Sequence, residues 1–217
     1  MDGIKAIIWD LDGTLLDTLD DLAAAVNAAL REYGLPTRTR DEVRQFVGNG
    51  MRLLIRRAVP AGSDKATEEQ VFRAFRAYYD THSRVFTAPY PGIPEALERL
   101  AAAGIRMAVV SNKAESSVED LRRAFFADTV TVAAGDRPDR PRKPAPDGTL
   151  AAIAALGVSP REAVFVGDSD VDIETARAAG LPCLSVTWGF RSETFLREHG
   201  AATLIATPQE LAEKVLE

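Results

Sequence analysis

The side chains best suited to chemistry fall in four short stretches. Asp10 and Asp12 end the apolar run Ile7-Ile8-Trp9, Ser111-Asn112 ends Met107-Ala108-Val109-Val110, and Asp168 and Asp172 follow the run from Ala163 to Val166. Lys143 lies in a loop. In extended backbone, residues i and i+2 project on the same side, so the Asp10 and Asp12 carboxylates can reach one small volume. Gly13 then lets the chain turn away. Like charges that close repel unless a cation stands between them or one is protonated. Hard oxygen ligands with no His or Cys beside them suit Mg²⁺, which takes one or two protein carboxylates, waters and a substrate phosphate. Ser111 precedes a helix start, where free N–H groups favour an anion, and Lys143 could balance that anion's charge. A carboxylate can also attack phosphorus to give an aspartyl phosphate. A second carboxylate two residues on is then placed for acid–base work on the leaving oxygen.

Each piece has a plainer explanation. Asp-Gly is a turn signal, Ser111-Asn112 is a common turn pair, and Asp168 or Asp170 could simply cap the following helix. Lys143, among Arg137, Arg140 and Arg142, could belong to a solvated basic loop. Asp168-x-Asp170-x-Asp172 opens like a calcium loop, but Ile173 and Ala179 stand where a Gly and an acid are needed. Gly48-Asn49-Gly50 opens like a dinucleotide fingerprint, but Leu53 takes the third glycine's place and no strand precedes it. His82 and His199 read as helix-surface residues, and no Ser-His-Asp grouping has support.

An alternation of short strands and helices would position these groups. After the first strand, Leu22, Val26, Ala29, Leu30 and Tyr33 keep helical spacing until Gly34-Leu35-Pro36. Thr39 can cap a short helix from Asp41 to Val47, Gly48-Asn49-Gly50 breaks it, and Met51 to Val59 resumes. A long helix then carries the face Val71, Phe72, Phe75, Tyr78, Tyr79 and Phe86. Residues 17–86 therefore read as a helical insertion. From Pro89 the pattern becomes helix 93–103, strand 107–110, helix 115–125, strand 130–132, helix 150–156, strand 163–166, a helix ending at Gly180 and strand 183–186. Thr207-Pro208-Gln209-Glu210 is a capping box for the last helix. Such alternation predicts an α/β fold with a parallel sheet. The expected domains are 1–16 with 87–217 as the core, and 17–86. Ligands of such sheets bind beyond the carboxyl ends of the strands, where Asp10/Asp12, Ser111/Asn112 and Asp168/Asp172 all fall.

Bulk properties narrow the partners. The chain has 217 residues and a net charge of −6, so no basic excess exists to neutralise nucleic-acid phosphates. Cys183 is the only cysteine, which excludes an internal disulfide and fits a reducing compartment. No apolar stretch reaches membrane-spanning length. Met1-Asp2-Gly3-Ile4-Lys5 enters strand-like sequence at once, so the expectation is a cytoplasmic protein with no signal peptide.

The chain resembles the haloacid dehalogenase-like superfamily, specifically its phosphoglycolate phosphatase-like phosphatases. Asp10-Leu11-Asp12-Gly13-Thr14-Leu15 looks like the family's first motif and Ser111 matches the second. Lys143 in Arg-Lys-Pro-Ala-Pro matches the third, and Gly167-Asp168-Ser169-Asp170-Val171-Asp172 the fourth. The resemblance implies a Rossmann-like core, a helical cap inserted after the first strand, and Mg²⁺ dependence. It makes Asp10 nucleophile and metal ligand, Asp12 acid/base and backbone-carbonyl metal ligand, and Asp168 a metal ligand. Asp172 would support the metal or Lys143. Ser111 and Lys143 would hold the phosphoryl group, helped by the Asn112 backbone. The dehalogenase branch fits poorly, because it lacks the second aspartate of the first motif and needs no metal. Phe46-Val47-Gly48-Asn49-Gly50 and Tyr90-Pro91-Gly92 look closest to phosphoglycolate phosphatases. The Arg- and Pro-rich stretch Gly135 to Arg142, in the loop that runs on to Pro146, departs from the pattern.

The expected function is hydrolysis of a small phosphorylated, phosphoglycolate-like metabolite through an aspartyl phosphate, with Asn49 and Arg52 as candidates to read the substrate's other end. A sugar-phosphate mutase of the same family is the alternative, weakened by the lack of a His near Thr18 to Asp21. A non-catalytic phosphate- and metal-binding regulator is a further one.

Overall fold

The structure is a computed structural model that describes residues 3–217, so the Met1-Asp2 part of the N-terminal expectation lies outside the described residues. Strand β1 (Ala6–Trp9) is followed by the two-residue β2 (Leu16–Asp17). The helices α1 (Leu19–Glu32), α2 (Arg40–Phe46), α3 (Met51–Ala58) and α4 (Lys65–His82) come next. After β3 (Ala88–Pro89) helices and strands alternate: α5 (Ile93–Ala102), β4 (Arg106–Ala114), α6 (Glu115–Phe126), β5 (Val132–Asp136), α7 (Asp147–Leu156) and β6 (Ala163–Gly167). Then come α8 (Asp170–Ala179), β7 (Cys183–Val186), α9 (Glu193–Glu198), β8 (Thr203–Ile205) and α10 (Pro208–Leu216). The chain divides into two compact units, one built from the segments up to Leu16 and from Pro89 to Glu217, the other from Asp17–Ala88. Among the described residues no helix is long and apolar enough to cross a membrane.

The first unit is an α/β Rossmann-like layer structure around a six-stranded sheet of order β5-β4-β1-β6-β7-β8. Every pairing in it is parallel. A parallel sheet covered on both faces needs strands that are apolar throughout, and β1, Ala-Ile-Ile-Trp, is buried at every position. The two-residue alternation then sorts side chains between two cores. Ile7, Trp9, Met107, Val109, Val164 and Val166 enter one, with α5 and α10 residues such as Leu97 and Leu211. Ala6, Ile8, Ala108, Val110, Ala163 and Phe165 enter the other, with Ile153 of α7 and Ala176 of α8.

The second unit is all-helical apart from its strand ends. Thr39 caps α2 in a reciprocal box: its hydroxyl accepts from the Glu42 N–H at 3.2 Å, and its own N–H donates to the Glu42 carboxylate at 2.7 Å. Asp64 caps α4 through the Thr67 N–H at 2.7 Å. Leu22, Val26 and Leu30 of α1 and Val71, Phe75 and Tyr79 of α4 are buried, spaced as one face of a helix requires. The buried Asp21 carboxylate ties down the end of the unit by accepting from the N–H groups of Phe86 and Thr87.

Three local expectations are corrected, and one strand is added. Helix α4 ends at His82, so Phe86 is not on its face and is 64% exposed. The strand expected at 130–132 begins instead at Val132 and runs through Ala-Ala-Gly-Asp, whose residue types disfavour strands. The Val130 N–H is still bonded to Phe126 at the exit of α6. β8 at Thr203–Ile205 has no counterpart in the sequence pattern, since three residues carry too little alternation to read. At the last helix only half of the capping box forms: the Thr207 hydroxyl accepts from Glu210 N–H, but the Glu210 carboxylate takes the Ala206 N–H.

Candidate active site

Strands β4, β1 and β6 are neighbours in the sheet, so their carboxyl ends bring Ser111, Asp10 and Asp168 to one edge. The Asp10 N–H donates to the Val166 carbonyl at 2.8 Å, carrying the ladder one residue past β1. The chain then coils tightly: the N–H groups of Leu15 and Leu16 both donate to the Leu11 carbonyl, and Gly13 N–H to that of Leu16.

The centre of the site is a buried ammonium between two carboxylates. Lys143 Nζ lies 2.6 Å from Asp10 Oδ1 and 2.7 Å from Asp172 Oδ1, above the Phe165 ring. The other Asp172 oxygen accepts from Ser169, from its N–H at 3.1 Å and its hydroxyl at 2.6 Å. Asp168 Oδ2 accepts the Phe190 N–H at 2.6 Å. Burial disfavours charge on Lys143, but the facing Asp10 and Asp172 carboxylates hold it above the ordinary lysine value. Burial, then the Asp172 charge, pushes the Asp168 carboxyl up to about 7. Burial also raises Asp10 well above the carboxylate range, with Lys143 pulling it back and Asp172 and Asp168 pushing it further up.

These shifts have one common reading. Asp10, Asp168 and Asp172 are buried, and each offers an oxygen within 4.8 Å of the others'. One ammonium cannot neutralise three carboxylates. A divalent cation would supply the missing charge, and an all-oxygen donor set would suit a hard one. Asp172 has both oxygens engaged by Lys143 and Ser169, and Asp168 accepts from the Phe190 N–H at 2.6 Å and the Thr14 hydroxyl at 3.4 Å.

Glycines make the approach of these segments feasible. Gly13 has φ +93°, and a Cβ on it would overlap the Asp168 carboxylate. A Cβ on Gly167 would overlap the Asp172 side chain, and one on Gly189 would overlap the Gly13 carbonyl and Asp168. Gly13→Ala combines left-handed strain with overpacking, so a loss of ~2–4 kcal/mol of stability is expected. Activity should fall with it. A thermal melt unchanged from wild type would show that the turn has room to spare.

The sequence-predicted residues distribute unevenly. Asp10, Ser111, Asn112, Lys143, Asp168 and Asp172 are all buried. Asn112 does more than expected, its side-chain amide donating to the Lys143 carbonyl at 3.0 Å and so fastening the loop that carries the ammonium. Asp12 is close to an unexpected partner: Lys113 Nζ lies 3.1 Å from its Oδ1. Lys113 is not among the residues singled out in the sequence, although it is a cation two residues beyond Ser111, and β4 runs through it to Ala114. The loop arginines are not a free basic patch. Arg137 pairs with Asp139 and Glu115, Arg140 with Glu115 and Arg142 with Asp136. In the helical unit, Gly48 and Gly50 take positive φ on either side of Asn49. Arg52 pairs with Glu69 at 2.6 Å and stacks over Phe72 at 4.1 Å.

Comparison with known proteins agrees with this geometry. Residues 7–186 match the family model for haloacid dehalogenase-like hydrolases. A phosphoglycolate phosphatase of Pseudomonas syringae pv. tomato is 37% identical over 212 residues, covering 93% of this chain and 76% of that protein. One from Aquifex aeolicus is 37% identical over 191 residues, with 86% of each chain covered. The crystal structure of a candidate phosphoglycolate phosphatase from Lactobacillus delbrueckii subsp. bulgaricus superposes with a TM-score of 0.94 at 33% identity, covering 98% of both chains. The chain belongs to the haloacid dehalogenase-like hydrolases, and among them it is phosphoglycolate phosphatase-like.

Proposed function

We propose that this protein is a Mg²⁺-dependent phosphatase that hydrolyses a small phosphorylated metabolite, phosphoglycolate or a close analogue, through an aspartyl phosphate. The observation that carries the reading is the buried cluster of Asp10, Asp168 and Asp172 around a single ammonium, Lys143. The curated phosphoglycolate phosphatases among its relatives support the substrate class.

In this reading Asp10 attacks phosphorus, forming a P–O bond to its carboxylate as the ester P–O bond breaks. Asp12 gives its proton to the departing alkoxide, then takes one from the water that attacks the phosphoenzyme. Lys143, Ser111 and the Asn112 backbone hold the transferring oxygens. Asp10, Asp168 and the Asp12 backbone carbonyl would hold Mg²⁺, whose contribution is electrostatic stabilisation of the phosphoryl charge. The helical unit acts as the cap that reads the rest of the substrate, with Asn49 and Arg52 as its contacts.

The test is a screen of phosphorylated metabolites ranked by kcat/KM, run beside p-nitrophenyl phosphate with and without Mg²⁺. A selective phosphatase should prefer one small acid phosphate by ~10²-fold or more, because a site built for a charged group rejects analogues lacking it. Failure to hydrolyse any phosphate ester would remove the reading. For the cap, Asn49→Ala or Arg52→Ala should lower kcat/KM ~10-fold or more on the natural substrate and leave p-nitrophenyl phosphate within about threefold. Because Arg52 also holds Glu69 and Phe72, equal losses on both esters would mark it as structural.

A further inference from the structure

We infer that Lys113 is a positioning residue for Asp12, fixing the carboxyl group that delivers a proton to the leaving oxygen. The inference rests on the phosphatase reading above and adds a residue to its proton-transfer machinery. Lys113 carries a buried ammonium, its side chain 2% exposed, and its Nζ stands 3.1 Å from Oδ1 of Asp12, which is 16% exposed. An ammonium taken out of water is costly unless it is paired. A strand position needing only volume there is better filled by Leu or Met. The two aspartates of the opening motif thus have a cation each: Lys143 on Asp10 and Lys113 on Asp12.

The pairing has a stereochemical consequence. An ammonium donates hydrogen bonds and accepts none. With Oδ1 facing Nζ, the carboxylic proton of Asp12 is carried on Oδ2. The ester P–O bond breaks as the P–O bond to Asp10 forms, and the leaving oxygen takes the proton from Oδ2. Asp12 is then a carboxylate still held through Oδ1, ready to accept a proton from the attacking water. Lys113 is itself held: β4 runs through it, and its backbone N–H donates to the Ser111 hydroxyl at 3.2 Å.

The experiment compares Lys113→Met, Asp12→Asn and the double variant on an alkyl phosphate and on p-nitrophenyl phosphate. An alkoxide leaves poorly without a proton, whereas p-nitrophenolate leaves readily. If Lys113 acts through Asp12, Lys113→Met lowers kcat on the alkyl ester by ~10²-fold, in the range of general-acid contributions, and lowers the p-nitrophenol burst rate much less. In the Asp12→Asn background, adding Lys113→Met should change the p-nitrophenol burst rate by less than about threefold, since coupled residues are not additive. In Asp12→Asn the Lys113 ammonium still faces an amide oxygen that can accept from it, and in the double variant neither charge remains, so the comparison stands even if Lys113→Met alone fails to fold. Equal losses on both esters, or a further large loss in the double variant, would overturn the inference. If the wild-type protein hydrolyses neither ester, the phosphatase reading fails first and is told apart by that result.

Discussion

Asp10→Asn should abolish turnover of every phosphate ester, by at least ~10⁴-fold, as loss of a nucleophile does elsewhere. The substitution keeps the size and shape of the side chain but removes its nucleophilic charge. It also turns one charged oxygen ligand in the trio of Asp10, Asp168 and Asp172 into a neutral amide. Stability should move the other way. Asp10 is 6% exposed, and burial followed by its acidic neighbours raises its carboxyl well above the ordinary range. Removing one negative charge from that crowd relieves repulsion in the metal-free protein, while Lys143 keeps its contact to Asp172 at 2.7 Å. The melting temperature of metal-free Asp10→Asn should therefore equal or exceed that of the wild type. Stability gained as activity is lost separates a chemical role from damage to the fold. Acid quenching of wild type during turnover of a labelled phosphate ester should leave label on the protein, and Asp10→Asn should carry none. Substantial residual turnover in a well-folded Asp10→Asn would end the covalent mechanism.

Much of this centre is legible in the sequence because its groups sit where strands end. Ile7-Ile8-Trp9 and Ala163 to Val166 are continuous apolar runs, as fully covered parallel strands must be. The residues just past such a run lie at the sheet's carboxyl edge, so sequence alone brings Asp10 and Asp168 together. Less legible are contacts that depend on partners distant in sequence. The pairing of Lys113 with Asp12 links residues about a hundred positions apart, and no local periodicity encodes it. Arg137 and Arg140 look solvated in sequence for the same reason: their shared acid, Glu115, lies more than twenty residues earlier on α6. β5 is shifted from its expected place because Ala, Ala and Gly carry no strand signal. Gly135 serves another purpose there, since a Cβ on it would run into the Glu115 backbone. Helix ends are most secure where one residue type does the work. Gly157 and Gly180 both take left-handed backbone just past α7 and α8, as C-terminal glycines do.

Removal of the metal should stop the enzyme as completely as removal of Asp10. Uncatalysed hydrolysis of phosphate monoesters is among the slowest reactions known, and enzymes accelerate it by up to ~10²¹-fold. Most of that must come from electrostatic stabilisation of the transferring group. Three buried carboxylates facing one ammonium repel a phosphate dianion unless a cation compensates them. Exhaustive chelation with EDTA should accordingly abolish turnover, and Mg²⁺ should restore it. Ca²⁺ should bind without restoring turnover, because its larger and looser shell does not hold the reacting groups at the octahedral spacing Mg²⁺ imposes. Protons should compete with the metal. Burial and the Asp172 charge push Asp168 up to about 7, and burial raises Asp10 as well. A metal requires both carboxylates ionised, so binding must release protons. The Mg²⁺ concentration for half-maximal activity should rise as the pH falls below 7 and level off above it. Titration of the metal-free protein with Mg²⁺ near pH 6 in a weak buffer should release measurable acid, and Asp168→Asn should release less. Full activity after chelation, or an Mg²⁺ requirement that does not change between pH 6 and 8, would show that the cluster balances its charge in some other way.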